Sequence, residues 1–394
     1  MSKRTKISVI TARFPYPLEK GDKLRAFHII KNLSQNADIQ LLSLNTSAPI
    51  SDSQLAQLSP FCKLGIEVHN LGKFNSFFRI LLAFFKSWPL QIGYYYSAKA
   101  NTKIEESITK VGSDYILNLL PRTAEYGKNL MIPKVIDYMD AFAKGMERRK
   151  ENAHGISKFI FNLEFKRLAR YEEEIFSRFS LHTIITEEDK KLIHHKKNQQ
   201  IEIVPNGIDS TFFQSLNKKK KYEIVFVGNM NYPPNVDACK FLVNSILPLL
   251  PKQFTVLIAG ANPSNEVKNL KSTQVSISGW VEDIRNAYDE SSVFVAPMRL
   301  GTGLQNKVLE AMSMNIPVIT TPMAANGLRA KNGQELLICT NAEEFATQIQ
   351  NLLQNSRLNK QLCANAHSFV TDNYNWDEIV KDLYGKITSI KVDN

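Results

Sequence analysis

Short runs of β-branched and aliphatic residues alternate along this chain with longer stretches whose apolar positions recur at helical spacing. In the first half the strand patterns fall at residues 7–12, 39–44, 66–69, 115–119, 135–137 and 182–186, with helical patterns such as 24–33 and 141–179 between them. In the second half they fall at 223–227, 255–259, 275–278, 293–296 and 318–320. Apolar strands alternating with helices predict parallel sheets covered on both faces. Two such series predict an α/β chain of two doubly wound, Rossmann-like domains. Pro205 and Asn206-Gly207 stop a strand and turn the chain, which places the boundary and a candidate hinge there. We therefore expect domains over 1–204 and 205–373. From Asn341 onward the pattern is helical only, and a terminal helix over 374–394, with Trp376 and Tyr384 as large apolar anchors, is expected to pack back on the first domain.

Composition narrows the picture. The 394 residues are 43% hydrophobic, enough for sizeable cores. No apolar run approaches the roughly 20 residues needed to span a bilayer. The opening MSKRTKISVITARFPYP reads as a first strand rather than a signal peptide. Cys62, Cys239, Cys339 and Cys363 are scattered, which predicts buried thiols in a reducing compartment rather than a disulfide or zinc framework. The seven histidines form no metal-ligand spacing. Net charge is +11, an attraction for anions that leaves nucleic acid, anionic lipid and phosphorylated small molecules open. The densest basic run, at 218–221, reads as a solvated stretch beside the boundary.

In open parallel sheets ligands bind beyond the carboxyl ends of the strands, where glycine turns let backbone amides reach an anion. Three turns qualify. The first runs from Thr11 to Gly21 and Arg25, the second is Gly228-Asn229 after the strand at 223–227, and the third is RLGTGLQNK at 299–307. In the third, Gly301 and Gly303 permit a tight turn, and the following helix start offers unpaired amides and the positive end of its dipole. Lys307 can add a full charge for a pyrophosphate, and Glu310, on the same helix face, can accept from the vicinal hydroxyls of a ribose. The plainer alternative is a glycine turn with an exposed lysine and a capping glutamate. GxGxxG after the first strand and GxxxxGK[ST] are both absent, which disfavours a dinucleotide cofactor or a P-loop nucleotidase.

Residues 303–320 (GLQNKVLEAMSMNIPVIT) resemble the signature of the retaining GT-B glycosyltransferases of family 4. The resemblance continues through 204–209 (VPNGID), 226–237 (FVGNMNYPPNVD), 279–283 (GWVED) and 294–297 (FVAP), covering nearly the whole second half. The first half matches more loosely, through 15–25 (PYPLEKGDKLR). The form of these motifs is most similar to a bacterial branch associated with exopolysaccharide synthesis. The resemblance implies a GT-B fold with two domains facing a central cleft, the first binding an acceptor and the second a nucleotide-sugar donor. It implies that Glu310 binds the donor ribose, that Lys307 faces the diphosphate, and that Trp280 and Val281 lie where the backbone meets the nucleobase. Gly21 and Gly228 match glycines that approach the donor phosphates. Two positions depart from the pattern. Thr302 stands where members often carry a first acid, and Asn229 where many carry Arg or Lys. We expect the missing contacts to be redistributed to Arg25, Arg299 and Lys307, with Gly301, Thr302, Gly303, Leu304, Gln305 and Asn306 lining the donor.

The implied activity is retaining transfer of a sugar from a UDP- or GDP-sugar to a glycan or lipid-linked acceptor, without a cofactor or metal, since no carboxylate pair of DxD type sits on a suitable loop. On the acceptor side Asp140 is the catalytic candidate, its competing role being a helix N-cap. Arg122 and Glu125 are further candidates. The loss of an acid at Thr302 also allows a non-catalytic nucleotide-sugar-binding module, and an epimerase or phosphorylase is a second rival. Nucleic acid is not an expected partner, because the basic residues do not interleave with aromatics in a recognisable motif. Residues 73–86 (KFNSFFRILLAFFK) form an unusually aromatic helical segment with cations at its ends and middle. Two readings stay open for it: lying in an anionic membrane interface, or burial against the first sheet with Arg79 and Lys86 snorkelling. With the net charge, the first gives a cytoplasmic protein peripheral on the inner face of the plasma membrane.

Overall fold

The computed structural model describes residues 4–151, 153–300 and 303–390, and the side chains of all of these but 73–76. Contacts divide the chain into two compact units, Met1–Pro205 with Trp376–Asn394, and Asn206–Asn375. Each is built on one sheet whose strand pairings are all parallel.

In unit 1 the strands are β1 (Thr5–Thr11), β2 (Ala37–Asn45), β3 (Ile66–Asn70), β4 (Tyr115–Leu119), β5 (Lys134–Asp137), β6 (Leu181–Ile184) and β7 (Glu202–Ile203), in the order β3-β2-β1-β4-β5-β6-β7. Because both faces are covered, β1, β2 and β4 are buried along nearly their whole length. The Gly21–Asn36 helix lays Ile29, Ile30 and Leu33 on one face, and the Trp376–Thr388 helix packs on it through Trp376, Val380, Leu383 and Ile387. Trp376 stacks on His28 with ring centroids 5.0 Å apart. Tyr384 reaches Thr5 with a 3.0 Å hydroxyl contact.

Unit 2 continues with β8 (Tyr222–Val227), β9 (Val256–Ala259), β10 (Val275–Gly279), β11 (Ser291–Ala296), β12 (Val318–Thr320) and β13 (Leu337–Ile338), ordered β10-β9-β8-β11-β12-β13. One continuous core underlies it, from Ile224 and Phe226 through Val293–Ala296 to Phe345 and Tyr374. The lysine run before β8 is tied down rather than wholly solvated: the Lys218 amide and the Lys220 ammonium both donate to Asp289, and Lys221 pairs with Glu290 at 2.8 Å.

Three sequence expectations are corrected. The stretch 141–179 is two helices, Phe142–Glu151 and Gly155–Phe176, broken where Gly155 takes φ +56°. β7 and β13 escape the pattern because two residues carry no periodicity. The Lys73–Phe85 helix is not buried against the sheet: Phe78 is 62% exposed and Phe85 76%, while only Ala83 among its described side chains is fully covered. The four cysteines are buried and unpaired.

Candidate functional site

Each sheet reverses its order beside its first strand, between β1 and β4 and again between β8 and β11. The carboxyl ends at such a reversal open a crevice, and this is where ligands of doubly wound sheets bind.

In unit 2 the crevice is lined by close-packed backbone. A Cβ on Gly260, which follows β9 at φ +139°, would lie 1.8 Å from the Gly228 carbonyl oxygen, so no other residue fits there. A Cβ on Gly228 would meet the Asn235 amide at 2.6 Å and the Lys307 ammonium at 3.3 Å. Asn235, from the Pro233–Phe241 helix, donates to the Asn229 carbonyl at 2.9 Å and accepts from Lys307. Lys307 is the second residue of the Asn306–Ser313 helix. Its Nζ stands 4.8 Å from the Phe226 ring centroid and 3.9 Å from the Met298 sulfur, and it makes no ion pair among the described residues. Burial pulls its ammonium down to about 8. Lys307 is thus a half-buried cation whose hydrogen-bond partner is neutral.

Glu310 lies on the same helix face. Its Oε2 accepts from the Tyr288 hydroxyl at 2.8 Å, and that hydroxyl also reaches the Lys307 carbonyl at 3.2 Å. Burial pushes the Glu310 carboxyl up, opposed by the Tyr288 bond. Asn306 adds a side-chain oxygen that is buried without a hydrogen-bond partner. Gly303 turns the chain at φ +80°, and Leu304 and Gln305 are half-buried beside it. Gly301 and Thr302 lie outside the described residues. Asn229 is exposed, its side chain accepting from the Asn231 amide at 3.1 Å. Trp280, 72% exposed, and Val281, half-buried, follow the edge strand β10. Arg299, expected to face a diphosphate, instead forms a two-bond pair with Asp237 at 2.6 and 3.0 Å and lies over Phe241.

Unit 1 gathers different chemistry. Gly21 opens its helix beside Met139, whose φ is +64°. Arg25 does not present a cation to a ligand, contrary to expectation. It is 2% exposed, pairs with Asp137 at 2.7 and 2.8 Å, and donates to the Val204 and Pro205 carbonyls. Glu125 is likewise internal, held by Lys128 at 2.7 Å and by Arg178 and the Tyr171 hydroxyl at 2.9 Å. Asp140 is not an N-cap: the Ala143 amide goes to Glu172, and the Asp140 carboxylate makes no hydrogen bond among the described residues. Its side chain reaches solvent, yet the protein mass around it, and then Asp189, push its carboxyl up to about 6. Arg13, after β1, pairs with Asp22 at 2.8 Å. Arg122, after β4, lies over the rings of Tyr95 and Phe142, 5.4 and 4.9 Å from their centroids. Among the described residues no group of three His, Cys, Asp or Glu is placed to hold a metal.

Sequence reasoning missed Gly260, Asn235 and Tyr288. Asn235 lies inside the family-like stretch 226–237 and could have been read there, whereas Gly260 and Tyr288 reach the site only through the fold.

Residues 221–355, within unit 2, match the family of glycosyl transferases group 1. Over 404 aligned residues the chain is 25% identical to an uncharacterized 44.6 kDa protein in the cps region of Klebsiella pneumoniae, covering 96% of this chain and 99% of that one. It is 24% identical to an uncharacterized glycosyltransferase of Methanocaldococcus jannaschii, over 77% and 78% of the two chains. Among solved structures, Anabaena HepE in complex with UDP superposes with a TM-score of 0.70 at 14% identity, covering 98% of this chain and 100% of that one. The sucrose-phosphate synthase of Thermosynechococcus elongatus gives 0.67 at 16%, again over 98% and 100%. The fold is of the two-domain GT-B type, and the match to glycosyl transferases group 1 covers residues 221–355, within unit 2.

Proposed function

We propose that the protein transfers a sugar, with retention of configuration, from a UDP- or GDP-sugar bound by unit 2 to a glycan or lipid-linked acceptor bound by unit 1, in the synthesis of a cell-surface polysaccharide. The observation that carries this reading is the desolvated, ion-pair-free Lys307 ammonium beside Gly228, one helix turn from Glu310. Lys307 and the amides of its helix start take the diphosphate. Glu310, oriented by Tyr288, takes the ribose hydroxyls, and the unpartnered Asn306 oxygen accepts one further donor group. In the reaction the bond from the anomeric carbon to the diphosphate oxygen breaks, its electron pair leaving with the diphosphate. The acceptor oxygen bonds to that carbon and gives up its proton, with Asp140 as the receiving base. One well-aimed donor to a developing charge contributes about 3–4 kcal/mol. That HepE was solved with UDP, and that a relative lies in a cps region, both agree with this reading.

We assign no metal to the step and place the protein at the cytoplasmic face of an anionic membrane. The Lys73–Phe85 helix shows Phe77, Phe78, Leu82 and Phe85 to solvent and carries no acidic residue, which suits an interface of anionic lipid. Thermal stabilisation by a panel of nucleotide sugars, followed by turnover of the stabilising donor in chelator, tests the assignment. Stabilisation by none of them overturns it, and stabilisation without turnover in the presence of acceptor glycolipid extracts assigns the non-catalytic module instead. Loss of turnover in chelator that magnesium restores overturns metal independence. Failure to pellet with vesicles of phosphatidylglycerol at low salt overturns the membrane location.

A further inference from the structure

The reversal point of unit 1 holds a cation that makes no ion pair among the described residues. Arg122 is carried on a short turn after β4, set by Leu120 at φ +75°. Its guanidinium carbon stands over the Tyr95 and Phe142 rings. Its Nε donates to Gln91 at 3.1 Å, and its two terminal nitrogens have no partner among the described residues. With Nε so engaged, the guanidinium keeps its two terminal nitrogens as a fork of donors. Burial lowers its affinity for the proton, opposed by Tyr95 and Asp22 and assisted by Arg13 and Arg149. Arg13 is balanced by Asp22, whereas Arg122 and the exposed Arg149 make no ion pair among the described residues. Arg122, beyond β4, and Arg149, on the Phe142–Glu151 helix, are thus two neighbouring cations without an ion pair among the described residues, with the Asp22 and Asp140 carboxylates within electrostatic reach of Arg122.

We infer that this is an anion subsite, and that it binds a phosphate ester carried by the acceptor, with the Arg122 fork on two phosphate oxygens and Arg149 supplying the second charge. A doubly charged, tetrahedral group matches the two cations that lack an ion pair, and bidentate arginine geometry suits it. Leaving such a cation desolvated and unpaired costs stability in the free protein, which a bound dianion would recover. The inference rests on the reading of unit 1 as the acceptor-binding unit, but binding can be measured without turnover.

The test uses the full chain with Lys307→Ala, so that phosphate does not enter unit 2. Farnesyl phosphate, glucose 1-phosphate, inorganic phosphate and farnesol are each titrated calorimetrically. We expect a phosphate ester to bind, and Arg122→Gln in that background to weaken it about tenfold or more. Arg149→Gln, on an exposed helix position that perturbs no packing, should weaken it several-fold with unchanged melting. Tighter binding of farnesyl phosphate than of glucose 1-phosphate assigns the phosphate to a lipid, and the reverse order assigns it to a sugar. Equal affinity in parent and Arg149→Gln, or binding of farnesol as tight as farnesyl phosphate, overturns the subsite. If the phosphate ester binds here while no nucleotide sugar stabilises the wild-type chain, the subsite stands and the transfer reading falls.

Discussion

The two reversal points share a topology and differ in how they hold charge. Unit 2 brings backbone together, Gly228 against Gly260, and sets one lysine against neutral partners, Asn235, Phe226 and Met298. Unit 1 brings side chains together: an arginine lying over two aromatic rings, a second arginine paired with Asp22, and a carboxylate without a hydrogen bond among the described residues. A sheet of one kind thus carries two arrangements of charge, because the loops beyond the strands, and not the strands, carry the difference.

The comparison is broken most strongly at Arg25. If this arginine is part of the frame of unit 1 rather than a ligand contact, Arg25→Met should cost about 3–5 kcal/mol of folding stability by leaving Asp137 buried and unpaired. Denaturant melts would show it, while any protein that remains folded should bind donor normally. A selective loss of donor affinity with unchanged melting would return Arg25 to the site. Next in size, Lys307→Ala should remove about 1.5–3 kcal/mol of donor binding with little change in melting, read by nucleotide-sugar titration. Tyr288→Phe should be milder, about 1 kcal/mol on donor affinity, since Glu310 loses one orienting bond but keeps its place on the helix.

The smallest effect is on pH dependence. With Asp140 as the base, activity should rise with pH as its carboxyl ionises near 6. It should fall as the Lys307 ammonium loses its proton above about 8, because only the cation attracts a diphosphate. A bell-shaped profile of kcat/KM is expected. Asp140→Asn should lower the rate and abolish the acid limb alone, and an unchanged acid limb would remove Asp140 from the reaction.

Much of the frame could be read from the chain, and the reasons are physical. Eleven strands announce themselves, the central ones because parallel strands buried on both faces must be continuous apolar runs. The glycine turn before Lys307 and Glu310 is visible because a helix start after a tight turn has local rules. What could not be read were pairings across long stretches of chain. Arg25 and Asp137 are 112 residues apart, and nothing local distinguishes a buried arginine from one aimed at a phosphate. Tyr288 looks like any core aromatic until it is seen to reach Glu310. The Lys73–Phe85 helix shows the same limit: its composition suits both a core and an interface, and only the packing around it decides.

The division of unit 1 into two pieces of sequence has a consequence for how the molecule is made. Unit 2 is one uninterrupted segment, so it can close as soon as it has emerged during synthesis. Unit 1 cannot. Its sheet is finished at β7, yet the surface of the Gly21–Asn36 helix around His28 waits uncovered while all of Asn206–Asn375 is translated, until Trp376 arrives to cover it. The order of assembly is thus the reverse of the order of the chain: the first unit to be synthesised is the last to be completed.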